Sequence, residues 1–361
     1  MPKIDRGHVG LASDKRGCPN RCRPCYLGPA SGGTLPEKGV RWGVSRFRDF
    51  IATGQTPIQK LSVLTWFREP DFGDDYRQLH ALEAELSDCK PYRYELLSVW
   101  RLARDDTYAR WARSVGPDTC QISFFGMRGT TNWFCRRKGA FDDALTATER
   151  LLDAGMKPRW QVFLTTKLLP ELDHLLALVD QHRLQQRLRE LGGEFKILTH
   201  PPGPDYEARR ISTFRPTAEV ADLPAAILAP TRRHLKRDVL WQPEETLYSQ
   251  ILKGDDDTEM TEAGLPDVLW FFVGSNWDVF PDVGTLEPWY NLGNLQRSSF
   301  ESIIRRFEED SVLGLHVQFH ASPVTLAERY GDPKGQKVYS SKEDLLSLYR
   351  GRHCEKVWSA T

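Results

Sequence analysis

Cys18-Pro19-Asn20-Arg21-Cys22-Arg23-Pro24-Cys25-Tyr26 sets three thiols within eight residues, with three and then two residues between them. The next cysteine, Cys89, is 64 residues further on. Loops this short do not close a disulfide without strain, so the thiols read as soft ligands for zinc or for an iron–sulfur cluster. A structural zinc site takes four protein ligands. Three thiolates on a cubane cluster instead leave one iron open to a small molecule. The alternative for the loop alone is a zinc knuckle completed by a histidine, with His8 the nearest.

Composition narrows what surrounds this loop. A chain of 361 residues suits one large α/β unit with an extension, or two domains. Lys plus Arg equals Asp plus Glu at 49 each, so no net field draws the chain to nucleic acid or membrane. The basic runs 136–138 and 232–237 read as solvated faces or local contact sites. No signal peptide opens the sequence and no run of about 18 apolar residues occurs, which predicts no membrane span. Seven cysteines, an odd number with three in one loop, argue against a disulfide framework and for a reducing, cytoplasmic setting.

Outward from the loop, short β-rich runs alternate with helical patterns, as in successive βα units on a parallel sheet. Residues 8–12 form the expected first strand and lead straight into the cysteines; 28–43 read as an irregular Gly/Pro-rich loop. Further strands are expected over 61–66, 94–100, 120–125, 160–165 and 195–198. Helices are expected over 76–86, 106–114 and 141–154, with one long helix from 172 towards 191. Six such units predict an incomplete (β/α)6 TIM-like barrel over residues 1–215. Residues 216–361 then form a small C-terminal α+β extension, with a linker at 254–257. It contains a hairpin (268–273, 278–281), the turn Asn291-Leu292-Gly293-Asn294, and helices over 300–309 and 342–348.

The spacing Cys-x3-Cys-x2-Cys followed by an aromatic residue resembles the cluster loop of the radical S-adenosylmethionine (SAM) enzymes. That resemblance implies a 4Fe–4S cluster on Cys18, Cys22 and Cys25, with the open iron binding the amino and carboxylate groups of SAM. It implies reductive cleavage of SAM to a 5′-deoxyadenosyl radical, with electrons from a flavodoxin- or ferredoxin-type donor. The family's Gly-Gly-Glu-Pro element after the second strand is matched here by Glu69 and Pro70, with Phe67 and Arg68 in place of the glycines. By the resemblance Glu69 faces the SAM ammonium, Ser123 contacts the ribose, Arg137 pairs with the carboxylate, and Thr165 lies near adenine or substrate. The extension is similar to the SPASM or twitch domains of that family. No cysteine stands between Cys135 and Cys354, so it is read as a version without an auxiliary cluster.

His200 at the end of the sixth expected strand is a candidate catalytic group. Arg101, Asn132 and Trp133 are candidates for the substrate wall. Cys135 and Cys354 are candidates for a thiol that returns a hydrogen atom to a substrate radical. With no auxiliary cluster to accept electrons, the expected reaction is redox-neutral: rearrangement, epimerisation or carbon–carbon bond chemistry on a small metabolite or natural-product intermediate. The alternative is modification of a ribosomally made peptide. The reading from another class is a zinc-stabilised binding protein.

Overall fold

The computed structural model describes residues 7–15, 17–28, 33–53, 58–91, 93, 95–254, 268–282 and 286–360. The expected linker at 254–257, apart from Gly254, and Tyr94 lie outside these.

The architecture is α/β and rests on two sheets. The first has parallel strands β1 (His8–Ser13) and β2 (Lys60–Leu64). The second is fully parallel, in the order β3 (Thr119–Phe124), β4 (Lys157–Phe163), β5 (Ile197–His200). A short pair, β6 (Gln242–Pro243) with β10 (Val338–Tyr339), stands apart. The expected hairpin is formed by β7 (Leu269–Val273) and β8 (Asp278–Pro281), antiparallel, with β9 (Gly293–Asn294) beyond. Strand β7 also pairs in parallel with β1, from Val9↔Leu269 to Ser13↔Val273. The extension thus continues the first sheet, in the order β2-β1-β7-β8-β9.

Period-two alternation explains the layering. Val9, Leu11, Leu61, Val63, Leu269 and Phe271 join one hydrophobic core. Ile122, Phe124, Trp160, Val162 and Ile197 join another, with the helices behind them. The opposite faces turn inward: Ala12, Leu64, Trp270 and Phe272 pack together. Gly10 is required there, since a Cβ at that position would lie 2.3 Å from the Trp270 ring. Among the described residues no helix is long and apolar enough to cross a membrane.

Of the strand expected over 94–100, the described residues 95–100 form none. Every second donor on the outer edge of β2 is taken by a side chain instead of a strand. Leu61 N donates to Asp88 Oδ2 (2.7 Å), Val63 N to Ser87 Oγ (2.9 Å) and Thr65 N to Glu83 Oε1 (2.8 Å). Glu95 adopts a left-handed φ of 60° and accepts one hydrogen bond from Gln121 N at 2.8 Å, after which a helical turn, Val99–Leu102, begins under a Ser98 cap. This separates the two sheets.

Three helical expectations also change. A helix spans Glu37–Ala52 where a loop was expected over 28–43. Its glycines are contact points, not breakers: a Cβ on Gly39 would meet Trp277 at 2.7 Å. The long helix from 172 breaks into Leu172–Gln181 and Leu184–Glu190 at Arg183, whose φ is 50°. The last helix runs Lys342–Trp358, ten residues beyond the expected stop, so Cys354 lies within it.

Candidate active site

The cysteine loop leaves β1 and crosses to the end of a helix, Arg128–Cys135, that follows β3. Two backbone bonds hold it there: Arg21 N to Cys135 O (3.2 Å) and Arg23 N to Phe134 O (2.8 Å). Its exit is clamped by Arg68, which donates to the carbonyls of Leu27 (2.9 Å) and Gly28 (3.2 Å) and pairs with the buried Asp14. Arg68 stands where the resemblance would have a glycine, and sequence reasoning missed its role. The signal was present in Asp14, an acid just past an apolar strand that needs a cation. An Arg68→Ala chain is expected to lose about 3–5 kcal/mol, because Asp14 is left buried and unpaired. Thermal denaturation measures the loss, and adding Asp14→Asn should restore part of it. Equal stability of the two single variants and wild type would refute the clamp.

A cavity of about 330 Å³ lies beside the loop, at the carboxyl ends of the strands. Cys18, Cys22 and Cys25 line it, and so do Glu69, Pro70, Ser123, Arg137 and Cys135. Glu69 is held by Ser98 Oγ, which donates to Oε1 at 2.8 Å. Burial pushes its carboxyl up to about 7, against the opposing pull of Ser98, the Trp100 N–H and the Arg137 charge. The turn behind it is braced by buried groups. Arg93 donates to Glu83 (2.7 Å) and Asp71 (3.1 Å), and Tyr108 OH donates to Asp71 (2.7 Å). Arg137 donates from Nε to Asn20 Oδ1 (2.6 Å) and pairs with Asp143, which aims its fork beside the loop.

The thiols are poor acids as they stand. Burial raises Cys18, helped by the Glu69 charge. Contact with the Cys135 thiol raises Cys22, burial adding to it. Burial and Cys22 push Cys25 up to about 11. Three half-buried thiols sharing one cavity become thiolates only against a bound cation. This donor set therefore fits an iron–sulfur cluster chemically. Among the described residues no three His, Cys, Asp or Glu side chains already converge on one point, so the fit rests on the donor set and its shared cavity.

Other expected site residues lie elsewhere. Thr165 is fully buried and caps a turn, its Oγ1 accepting from Leu168 N at 3.1 Å. His200 does not line the cavity; it donates from Nδ1 to Pro201 O (2.6 Å) and sits edge-on to Phe163, ring centroids 4.4 Å apart. Its pKa is lowered by burial. Cys354 is buried in the core behind the first sheet, and burial pushes its thiol up to about 12. Arg101 donates to the carbonyls of Asp71 (2.7 Å) and Phe72 (2.9 Å), which makes it a brace. Asn132 accepts from Phe141 N at 3.1 Å, while Trp133 is exposed. Gln121, unnoticed in the sequence, lines the cavity and accepts from Arg159 at 2.8 Å.

No protein-family model and no curated protein matches the sequence. The chain is similar to solved structures at low identity. One is anSMEcpe with bound AdoMet and the Cp18Cys peptide: TM-score 0.47, 12% identity, 98% of each chain covered. Another is SuiB of Streptococcus suis bound to its precursor peptide SuiA: TM-score 0.40, 11% identity, 90% of this chain and 67% of that one. A third is coproporphyrinogen III oxidase (HemN) of Escherichia coli, described as a radical SAM enzyme: TM-score 0.38, 11% identity, 97% and 90%. At these values the likeness is one of chain path.

Proposed function

We propose that this chain is a radical SAM enzyme. The supporting observation is one cavity, at the carboxyl ends of parallel strands, lined by the three loop thiols together with Glu69, Ser123 and Arg137. In this reading Cys18, Cys22 and Cys25 hold a 4Fe–4S cluster. The chemistry such a cluster supplies when bound is one-electron reductive cleavage of SAM to an alkyl radical that removes hydrogen from the substrate.

The chain's own residues bind and orient. Glu69, ionised, accepts from the SAM ammonium, a charge-assisted bond in a dry site. Arg137 offers a planar fork to the carboxylate, and Ser123 a hydroxyl to the ribose. Phe125 and Phe163 line the cavity and exclude water. Cys135, in the cavity wall, is the thiol within reach of a substrate radical; the core position of Cys354 leaves it out of this reading.

The net reaction proposed is redox-neutral, on a small metabolite or natural-product intermediate, with a peptide as the second substrate class. A flavodoxin- or ferredoxin-type protein is the proposed electron donor. Anaerobic reconstitution with iron and sulfide is the test. The expected product is a brown protein whose visible absorption bleaches with dithionite and which releases 5′-deoxyadenosine from SAM. A colourless chain holding one zinc would support the binding-protein reading instead. Iron uptake without 5′-deoxyadenosine would sink the radical reading.

A further inference from the structure

The face around Trp133 carries more positive charge than its own carboxylates neutralise. Arg23, in the cysteine loop, holds its guanidinium 4.0 Å from the Trp133 ring centroid. Its Nε donates to the Trp133 carbonyl at 3.1 Å. Lys167, just beyond β4, brings its ammonium to 5.1 Å from the same ring and 5.2 Å from Phe214. Arg21 and Arg136 are exposed beside them. Among the described residues neither Arg23 nor Lys167 has a carboxylate in ion-pair contact. Glu207, the acid whose field reaches Arg23, is already shared by Arg136 (3.1 Å) and Arg210 (2.9 Å).

The like charge of Arg136 acts on Arg23, and the ring quadrupole attracts each cation only weakly. An anion bound on this face relieves that repulsion. The chain as a whole is neutral, so this excess is local.

The cavity explains why recognition would occur here. Its 330 Å³ is at the small end for a ligand pocket. On the reading above it must hold the cluster, SAM and the reacting carbon, so the rest of a substrate lies outside. Arg21 and Tyr26 line the cavity and are exposed, and Trp133, 37% exposed, stands two residues before Cys135 of the cavity wall, to which Arg21 N is bonded.

We propose that this rim recognises a carboxylate-bearing substrate: Arg23 and Lys167 take a carboxylate remote from the reacting carbon, and Trp133 covers the apolar part beside it. The inference rests on the radical SAM reading for its substrate, and its binding test needs no turnover. The probe is fluorescein-labelled hexaglutamate, followed by anisotropy on the cluster-loaded chain, with labelled hexalysine as the opposite charge. Hexaglutamate is expected to bind and hexalysine not to. The double variant Arg23→Ala/Lys167→Ala should weaken hexaglutamate by at least about tenfold, the loss of a charge-assisted contact. Lys167→Arg should retain it. Arg232→Ala/Arg233→Ala, which removes equal charge from the distant helix Ala225–Leu235, should leave it unchanged.

Displacement by citrate would assign the rim to a small polyacid, and resistance to citrate to an extended acidic chain; either upholds carboxylate recognition. No hexaglutamate binding, equal hexalysine binding, or equal loss in the distant variant overturns it. So does a double variant that binds hexaglutamate normally but accepts electrons slowly from flavodoxin, which would make the rim a carrier surface. Retained binding without 5′-deoxyadenosine release strikes the radical reading alone.

Discussion

A Cys22→Ser chain is expected to hold no 4Fe–4S cluster and to release no 5′-deoxyadenosine, a loss of at least about 10³-fold, since no electron reaches SAM without the cluster and ligands that act as a unit lose their effect together. Cys22 is the middle ligand of the proposed set, and its backbone neighbours Arg21 and Arg23 are bonded to Cys135 and Phe134. The substitution therefore removes a sulfur from a loop that stays in place. A serine hydroxyl is too poor an acid and too hard a donor to replace it. Absorption, iron and sulfide content, and product release in parallel read the outcome, with circular dichroism to verify folding. The neighbouring thiol sharpens the test, because Cys135 lies against Cys22 and lines the same cavity. A Cys22→Ser chain that keeps a full cluster would mean that Cys135 is a ligand and that the three-cysteine set is wrong.

Glu69→Gln is the second large expectation. The substitution keeps the shape and removes the charge that would face an ammonium group. A hydrogen bond to a charged group is worth about 1.5–3 kcal/mol, so the SAM dissociation constant should rise about 10- to 100-fold. The pH dependence adds a second readout. Burial pushes Glu69 up to about 7, so below that pH a proton must leave before the ammonium can be accepted. SAM binding to wild type should weaken as pH falls through 7, and the Gln variant should be flat there.

The sign for stability is opposite. The folded chain holds this proton more tightly than the unfolded one, whose carboxyl has the ordinary value of 4.5. The contribution is thus present below 4.5 and is lost as pH rises through about 7. Calorimetric titration of the reconstituted protein between pH 6 and 8 decides the binding claim. Unchanged affinity in the Gln variant would remove Glu69 from the site.

Much of the candidate cavity's lining was legible because its residues sit at fixed offsets from strands. Cys18, Cys22 and Cys25 follow β1, Glu69 and Pro70 follow β2, and Ser123 is near the end of β3. Strand ends on one side of a parallel sheet converge, so residues read separately from sequence line one cavity. Thr165 and His200 were placed by the same rule and fell outside that lining, because each turns to its own backbone: Thr165 caps a turn, and His200 donates to the next carbonyl.

The succession of strands along the chain, with 94–100 the exception, and the thiol set follow from local pattern, since periodicity and spacing are properties of neighbouring residues. Tertiary structure decided where strand edges find partners. Asp88, Ser87 and Glu83 close the edge of β2 and end the first sheet there. Strand β7, some 200 residues beyond β2 in the chain (about; long-range pairing carries no local signal), closes the other edge of β1. The Asp14–Arg68 clamp, the Cys22–Cys135 contact and the two cations over Trp133 likewise join residues far apart in sequence. Such contacts are fixed by packing and by the need to satisfy buried charge, neither of which is written in a run of adjacent residues.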